Sequence, residues 1–176
     1  MGSVFDEEVQ RIERNIDNFV ESLKGGVHEG IYDVMHSLYG QIPTDEEIIL
    51  SQAALSLILT ATFYEHVRAT HPQLSPLSDH VNRRGAIEGF KMALDDLMRV
   101  DYRDAIKLSR GILDKLPLSA ADRVKELIEE GIRIAQNKAL LSRDLAGRVY
   151  HKITGDIAVR KGFATFYTQV PAAHLL

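Results

Sequence analysis

Apolar residues recur at three- and four-residue steps along most of this chain, the spacing that gathers them on one face of a helix. Val9, Ile12, Ile16, Phe19, Val20 and Leu23 make the first such stripe; Ser3 with Asp6 predicts where it opens and Gly25-Gly26 where it closes. A shorter helix carries Ile31, Val34, Met35 and Leu38 and ends near Gly40. Thr44 stands three residues before Glu47, a capping-box spacing, just ahead of a long apolar run from Ile48 to Tyr64 that is expected to stay helical to about Thr70. Residues 71–80, with Pro72 and Pro76, read as a loop. Helical spacing returns from Arg83 to Val100 through Ile87, Phe90, Ala93, Leu94, Leu97 and Met98. Asp101 and Asp104 predict the start of a helix bearing Ala105, Ile106, Leu108, Ile112 and Leu113, which Leu116-Pro117 stops. Ser119 with Asp122 predicts a cap for the next, through Val124, Leu127, Ile128, Ile132 and Ile134, and a last helix is expected around Leu145, Val149, Tyr150 and Ile153. No strand-like alternation of useful length precedes Phe163. The pattern predicts an all-α protein, an irregular multi-helix bundle with a short non-helical C-terminal tail.

The apolar run needs one further test, because its length approaches that of a membrane span. It falls short of the roughly 20 residues needed, it contains Ser51, Gln52, Ser56, Thr60 and Thr62, and acids precede it while Glu65, His66 and Arg68 follow. A buried core helix is the better reading. The N-terminus is acidic where a secretory signal would be basic and then apolar. With 45% hydrophobic and 26% charged residues, the composition is that of a folded domain with one ordinary core. Cysteine is absent, which excludes disulfides, thiolate metal sites and cysteine nucleophiles and fits a reducing cytoplasm.

Charge is unevenly placed. The net charge is −4, yet residues 138–161 hold six bases (Lys138, Arg143, Arg148, Lys152, Arg160, Lys161) against Asp144 and Asp156. That stretch is +4, residues 162–176 carry no charged side chain, and residues 1–137 sum to −8. Such a split suits a protein with one anion-facing segment, and chance placement of charge would give it equally.

Local catalytic motifs are missing. The seven histidines are scattered and none forms a helical zinc pair, so no metal site is expected. Asp45-Glu46-Glu47, Asp95-Asp96 and Glu129-Glu130 are neighbours whose side chains diverge on a helix, and they read as solvated faces or helix-start charges. Neither a nucleophile elbow nor a Gly-rich phosphate loop is present, so no residue is assigned a catalytic role.

The C-terminal stretch is the unusual one. Asp144-Leu145-Ala146-Gly147-Arg148-Val149-Tyr150-His151-Lys152-Ile153 is followed by a basic, glycine-containing turn. Then comes Phe163-Ala164-Thr165-Phe166-Tyr167-Thr168-Gln169-Val170-Pro171-Ala172-Ala173-His174-Leu175-Leu176. Thr168 lies three residues before a proline at the start of an apparent helix, a good cap position whose free backbone N–H groups suit a carboxylate or other anion. A hydrophobic tail packed on the bundle would use the same residues.

This stretch resembles the entry to adenine-N6 DNA methyltransferases of restriction–modification systems. In that family a helical N-terminal region leads to an aromatic–Tyr–Thr element, followed by a small-residue helix, that opens the methyltransferase domain and lines the S-adenosylmethionine pocket. Phe166, Tyr167, Thr168, Pro171, Ala172 and Ala173 are the matching positions, and Gln169 departs from the family's usual proline or serine. The resemblance is good over the last 33 residues and loose before them, although the stretch from Pro76 to Leu113 is similar to the helical leader of such enzymes.

The resemblance implies two parts, a helical N-terminal domain over 1–160 and the start of a truncated methyltransferase domain over 161–176. Phe166, Tyr167, Thr168 and Pro171 would line the cofactor pocket. Arg143, Arg148, Lys152, Arg160 and Lys161 would contact DNA phosphates, since phosphate neutralisation supplies most non-specific DNA affinity. The family's cofactor loop and its Asn/Asp-Pro-Pro-Tyr/Phe motif, which holds the flipped adenine, lie downstream of these positions. The chain is therefore expected to be an inactive N-terminal piece of a cytoplasmic, S-adenosylmethionine-dependent methylase. Its expected partners are double-stranded DNA, through the intact parent, and a specificity or restriction subunit, and homodimerisation is open. Two other readings stay open, a stand-alone helical protein–protein interaction module and a small-molecule-binding bundle.

Overall fold

The computed structural model of the protein describes residues 4–42 and 44–137. Among these residues there are seven α-helices and no strand: α1 (Val4–Leu23), α2 (His28–Tyr39), α3 (Glu46–Arg68), α4 (Leu77–Arg84), α5 (Ala86–Val100), α6 (Arg103–Asp114) and α7 (Ala121–Gln136), with a 3-10 turn at Leu118–Ala120. The all-α bundle is as expected. The last expected helix and the C-terminal tail lie outside the described residues.

α3 is the axis of the bundle. Every residue from Ile49 to Tyr64 is buried, so this helix has no solvated face, the arrangement expected of a helix that is apolar all round. It is the one helix among the described residues long and apolar enough to cross a membrane, and its apolar window is buried inside the protein. α7 packs most extensively on it, and α1, α2 and α6 close around it. All six residues of the first stripe, Val9, Ile12, Ile16, Phe19, Val20 and Leu23, are in the core. Ile87, Phe90, Ala93, Leu94 and Leu97 of α5 are also there, as are Ala105, Ile106, Leu108, Ile112 and Leu113 of α6. The long apolar run is thus core and not an exposed seam, and Leu118, 78% exposed, is the sole large hydrophobic side chain left in solvent among the described residues.

Four local expectations are corrected. The cap of α3 is Asp45, whose carboxylate accepts the Ile48 N–H at 3.1 Å, and not Thr44; the neighbouring Glu46 is turned toward the end of α1, where it accepts the Gly25 N–H at 2.9 Å. The stretch 71–80 is loop only to Pro76. The Pro76 carbonyl accepts the Asp79 N–H at 3.0 Å, and Leu77, fully buried, begins α4. The helix expected over Arg83–Val100 is broken at Gly85, which has φ +85°. Its N–H donates to Val81 O and its carbonyl accepts from Gly89 N, both at 2.8 Å, so one residue ends α4 and starts α5. Ser119 caps nothing: it lies inside the 3-10 turn, and α7 opens with no side-chain cap.

A polar seam runs along buried α3 through Gln52, Ser56 and Thr60, spaced four apart. Ser109 of α6 donates to the Ser56 carbonyl at 3.1 Å, which leaves Thr60 as donor in its 2.6 Å contact with Ser109. Thr62, off the seam, lies 3.0 Å from both the Ile58 and Gly131 carbonyls. Gln52 is 2% exposed and neither amide atom has a hydrogen-bond partner. A buried unpaired amide destabilises by about 1–3 kcal/mol. Gln52→Met, nearly isosteric and apolar, is therefore expected to raise stability by about 1 kcal/mol. The check is the urea midpoint at unchanged m-value. A lowered midpoint would show that the amide has a partner, an internal water being the natural one.

Candidate functional site

Among the polar constellations of the described residues, three hold a buried charged or titratable side chain or line an open cleft, and none of the three is the set that the sequence singled out. Phe166, Tyr167, Thr168 and Pro171, expected at a cofactor pocket, lie outside the described residues. So do Arg143, Arg148, Lys152, Arg160 and Lys161, expected to meet DNA phosphates. No group of three or more His, Asp and Glu able to hold a metal ion occurs among the described residues.

The first constellation joins α1 to α7. Glu130, expected on a solvated face, is fully buried. The Arg11 guanidinium donates to it through Nε at 3.0 and 3.2 Å and through Nη2 at 3.1 Å. Asn15 donates to it as well, and Arg133 does so at 3.1 Å. Arg11 also pairs with Glu8 one turn earlier, a contact that raises the arginine's pKa first through Glu8 and then through Glu130, and lowers that of Glu8. A signal for Glu130 was present: it falls three residues after Leu127 and four before Ile134, on the apolar face of α7. Every acceptor there is occupied by the protein itself, so this cluster is a brace between helices.

The second is an open cleft of about 780 Å³ between α1 and the start of α3, lined by Glu13, Asp17, Glu21, Asp45 and Glu47, with Val20, Ile48 and Ser51 as neighbours. The three acids of α1 are spaced four apart and share one face. Lys24 at its edge reaches Glu47 at 2.9 Å and Glu21 at 3.0 Å. Five carboxylates against one ammonium make a surface that attracts cations and repels a polyanion.

The third lies where α4 and α5 meet. These helices approach so closely that a Cβ on Gly89 would sit 2.4 Å from the His80 carbonyl oxygen. An open cleft of about 410 Å³ there is lined by Ser75, His80, Arg83, Arg84, Met92 and Asp96. His80 is 5% exposed, its Nε2 has no hydrogen-bond partner, and Asp96 Oδ2 stands 3.6 Å away, beyond hydrogen-bond reach. Asp96 is itself paired with Arg99. On the inner side the Tyr64 ring meets the His80 ring edge-on, at 6.3 Å and 79°, and the Tyr64 hydroxyl donates to the Ser75 carbonyl at 2.5 Å. Burial, with help from Arg83 and Arg84 and against the pull of Asp96, lowers the His80 pKa, so the ring is neutral at pH 7. Nothing in the local residue pattern marks this site, because His80 and Asp96 are sixteen positions apart and meet only through the sharp turn at Gly85. No protein-family model, curated protein or solved structure matches the chain.

Proposed function

We propose that the chain is the helical leader of an S-adenosylmethionine-dependent, adenine-N6-specific DNA methyltransferase of a cytoplasmic restriction–modification system. The observation that carries this reading is the element Phe166-Tyr167-Thr168 with Pro171-Ala172-Ala173, preceded by a basic stretch and a helical bundle. In this reading Phe166, Tyr167, Thr168 and Pro171 belong to the cofactor pocket. Arg143, Arg148, Lys152, Arg160 and Lys161 meet phosphate, and the leader has no catalytic group of its own.

The charge distribution divides the labour. A bundle of net charge −8 with an acidic cleft is a poor surface for a duplex, so DNA contact falls to the +4 stretch at 138–161 and the bundle serves protein contacts, with a specificity or restriction subunit as its partner. The same acidic cleft favours the second reading, a helical protein–protein interaction module with no methylase attached.

The gene decides between them. Read past the codon for Leu176, the frame is expected to continue into a glycine-bearing cofactor loop and an Asn/Asp-Pro-Pro-Tyr/Phe motif. A stop codon directly after Leu176 would sink the methylase reading and leave the interaction module.

A further inference from the structure

We propose that the cleft between α4 and α5 is a binding site for a phosphate group that carries a proton, inorganic phosphate or a phosphomonoester. This site lies wholly within the described bundle and does not depend on whether the chain leads a methylase.

His80 is the starting point. His80 lines the cleft and is more than nine-tenths buried, and its Nε2 is buried without a hydrogen-bond partner, which leaves a polar group unused, as native proteins seldom do without a reason. The carboxylate of Asp96, 3.6 Å from that nitrogen, fixes the tautomer, since a bare Nε2 lone pair would face negative oxygen while an Nε2–H is attracted to it. The unused group is therefore a donor, and it calls for an acceptor oxygen. Arg83 and Arg84, exposed at the end of α4, supply two positive charges at the mouth. Guanidinium groups favour phosphate oxygens, with planar donors that can bind them in pairs.

Asp96 narrows the class. An ionised carboxylate only accepts hydrogen bonds, so it repels a fully ionised anion and welcomes one that offers an O–H. A phosphomonoester, whose second pKa is about 6, presents both acceptor oxygens and a P–OH near pH 6. Sulfate and a phosphodiester, having no such proton, would meet Asp96 with negative oxygen alone. The groups that face the site are Tyr64 from α3, Asp79, Arg83 and Arg84 from α4, and Asp96 with its partner Arg99 from α5. Arg99 moderates the Asp96 charge without removing its acceptor character.

The test is an NMR titration of the whole chain near pH 6, following the His80 ring and the arginine side chains. The probes are inorganic phosphate, adenosine monophosphate, sulfate and dimethyl phosphate. Phosphate and the monoester are expected to shift His80, with sulfate and dimethyl phosphate at least roughly tenfold weaker, a difference of about 1.4 kcal/mol. Asp96→Asn, which adds a donor in place of the carboxylate, is expected to abolish that discrimination. The double variant Arg83→Ala, Arg84→Ala is expected to weaken phosphate roughly tenfold or more. Both changes are at solvent-accessible side chains, and the unshifted core resonances report that the fold is intact. Tighter binding of adenosine monophosphate than of phosphate marks a larger ligand ending in a monoester, and equal binding marks free phosphate. An unmoved His80, equal binding of dimethyl phosphate, or discrimination that survives Asp96→Asn each overturns the proposal.

Discussion

Replacing Arg11 with alanine is expected to destabilise the bundle by about 3 kcal/mol, more than removing Glu130, the residue it serves. The difference follows from burial. Glu130 has no contact with water, while the Arg11 side chain is 30% exposed and keeps Glu8 as a second partner. Without Arg11 the buried carboxylate retains only Asn15 and Arg133, and breaking a buried pair from one side typically costs about 3–5 kcal/mol when nothing compensates. The two remaining donors place the expected value at the low end of that range. Glu130→Met leaves the opposite situation: the guanidinium turns to water and to Glu8, the methionine fills the site, and the loss is about 1 kcal/mol. In a double-mutant cycle the Arg11→Ala, Glu130→Met protein is expected to be more stable than Arg11→Ala alone, giving a strongly favourable coupling. Guanidinium chloride is unsuitable here because it screens charge, so the measurement is urea unfolding at low salt. If Arg11→Ala costs less than Glu130→Met, the carboxylate does not depend on Arg11 and the cluster is not the brace described.

That cluster also shows where reading the sequence stops. The stripe of α1 is legible in the sequence because its six apolar residues repeat in one unbroken pattern, and all six are buried. α3 is legible as a core helix because its apolar run is too short for a membrane span, carries Ser51, Gln52, Ser56, Thr60 and Thr62, and is flanked by charge. Glu130 was misplaced for the opposite reason. Charge argues for solvent, and only the position of the residue on an apolar face, together with an arginine 119 positions away, argues against it. Long-range partners of that kind leave no local trace. The turn at Gly85 was missed because the apolar spacing runs across it without interruption, although the glycine itself was the available sign. Residue type alone does not choose between adjacent cap formers, and at α3 the cap is Asp45 because its carboxylate accepts the Ile48 N–H. The cleft around His80 depends on all of these at once, a proline that opens α4, a glycine that ends it and a second glycine that lets α5 lie against it.

The contact between α3 and α7 carries the other large expectation. A Cβ on Gly131 would lie 2.6 Å from both the Ala61 Cβ and the Ile58 carbonyl oxygen, and 3.1 Å from the Thr62 nitrogen. Two of these three are backbone atoms in the middle of the buried central helix, so no side-chain rotation relieves the overlap. Alanine is the better helix former by about 1 kcal/mol, which opposes the clash but does not match it. Overpacking costs typically 1–3 kcal/mol and more where backbone must move. The separation would also stretch the Thr62 contact to the Gly131 carbonyl. Gly131→Ala is expected to lose about 3 kcal/mol, read as a lowered urea midpoint. Gly30→Ala in α2 supplies the contrast. The one tight neighbour of a Cβ there is Lys115 Cδ at 3.2 Å, which can swing aside, while Lys115 Cβ and Cγ at 3.4 Å are ordinary contacts. The same substitution is then expected to be neutral or to stabilise by about 0.5 kcal/mol through the unfolded chain. Equal effects at the two glycines would mean that helix propensity alone governs both, and that α3 and α7 are not locked at the distance the fold requires.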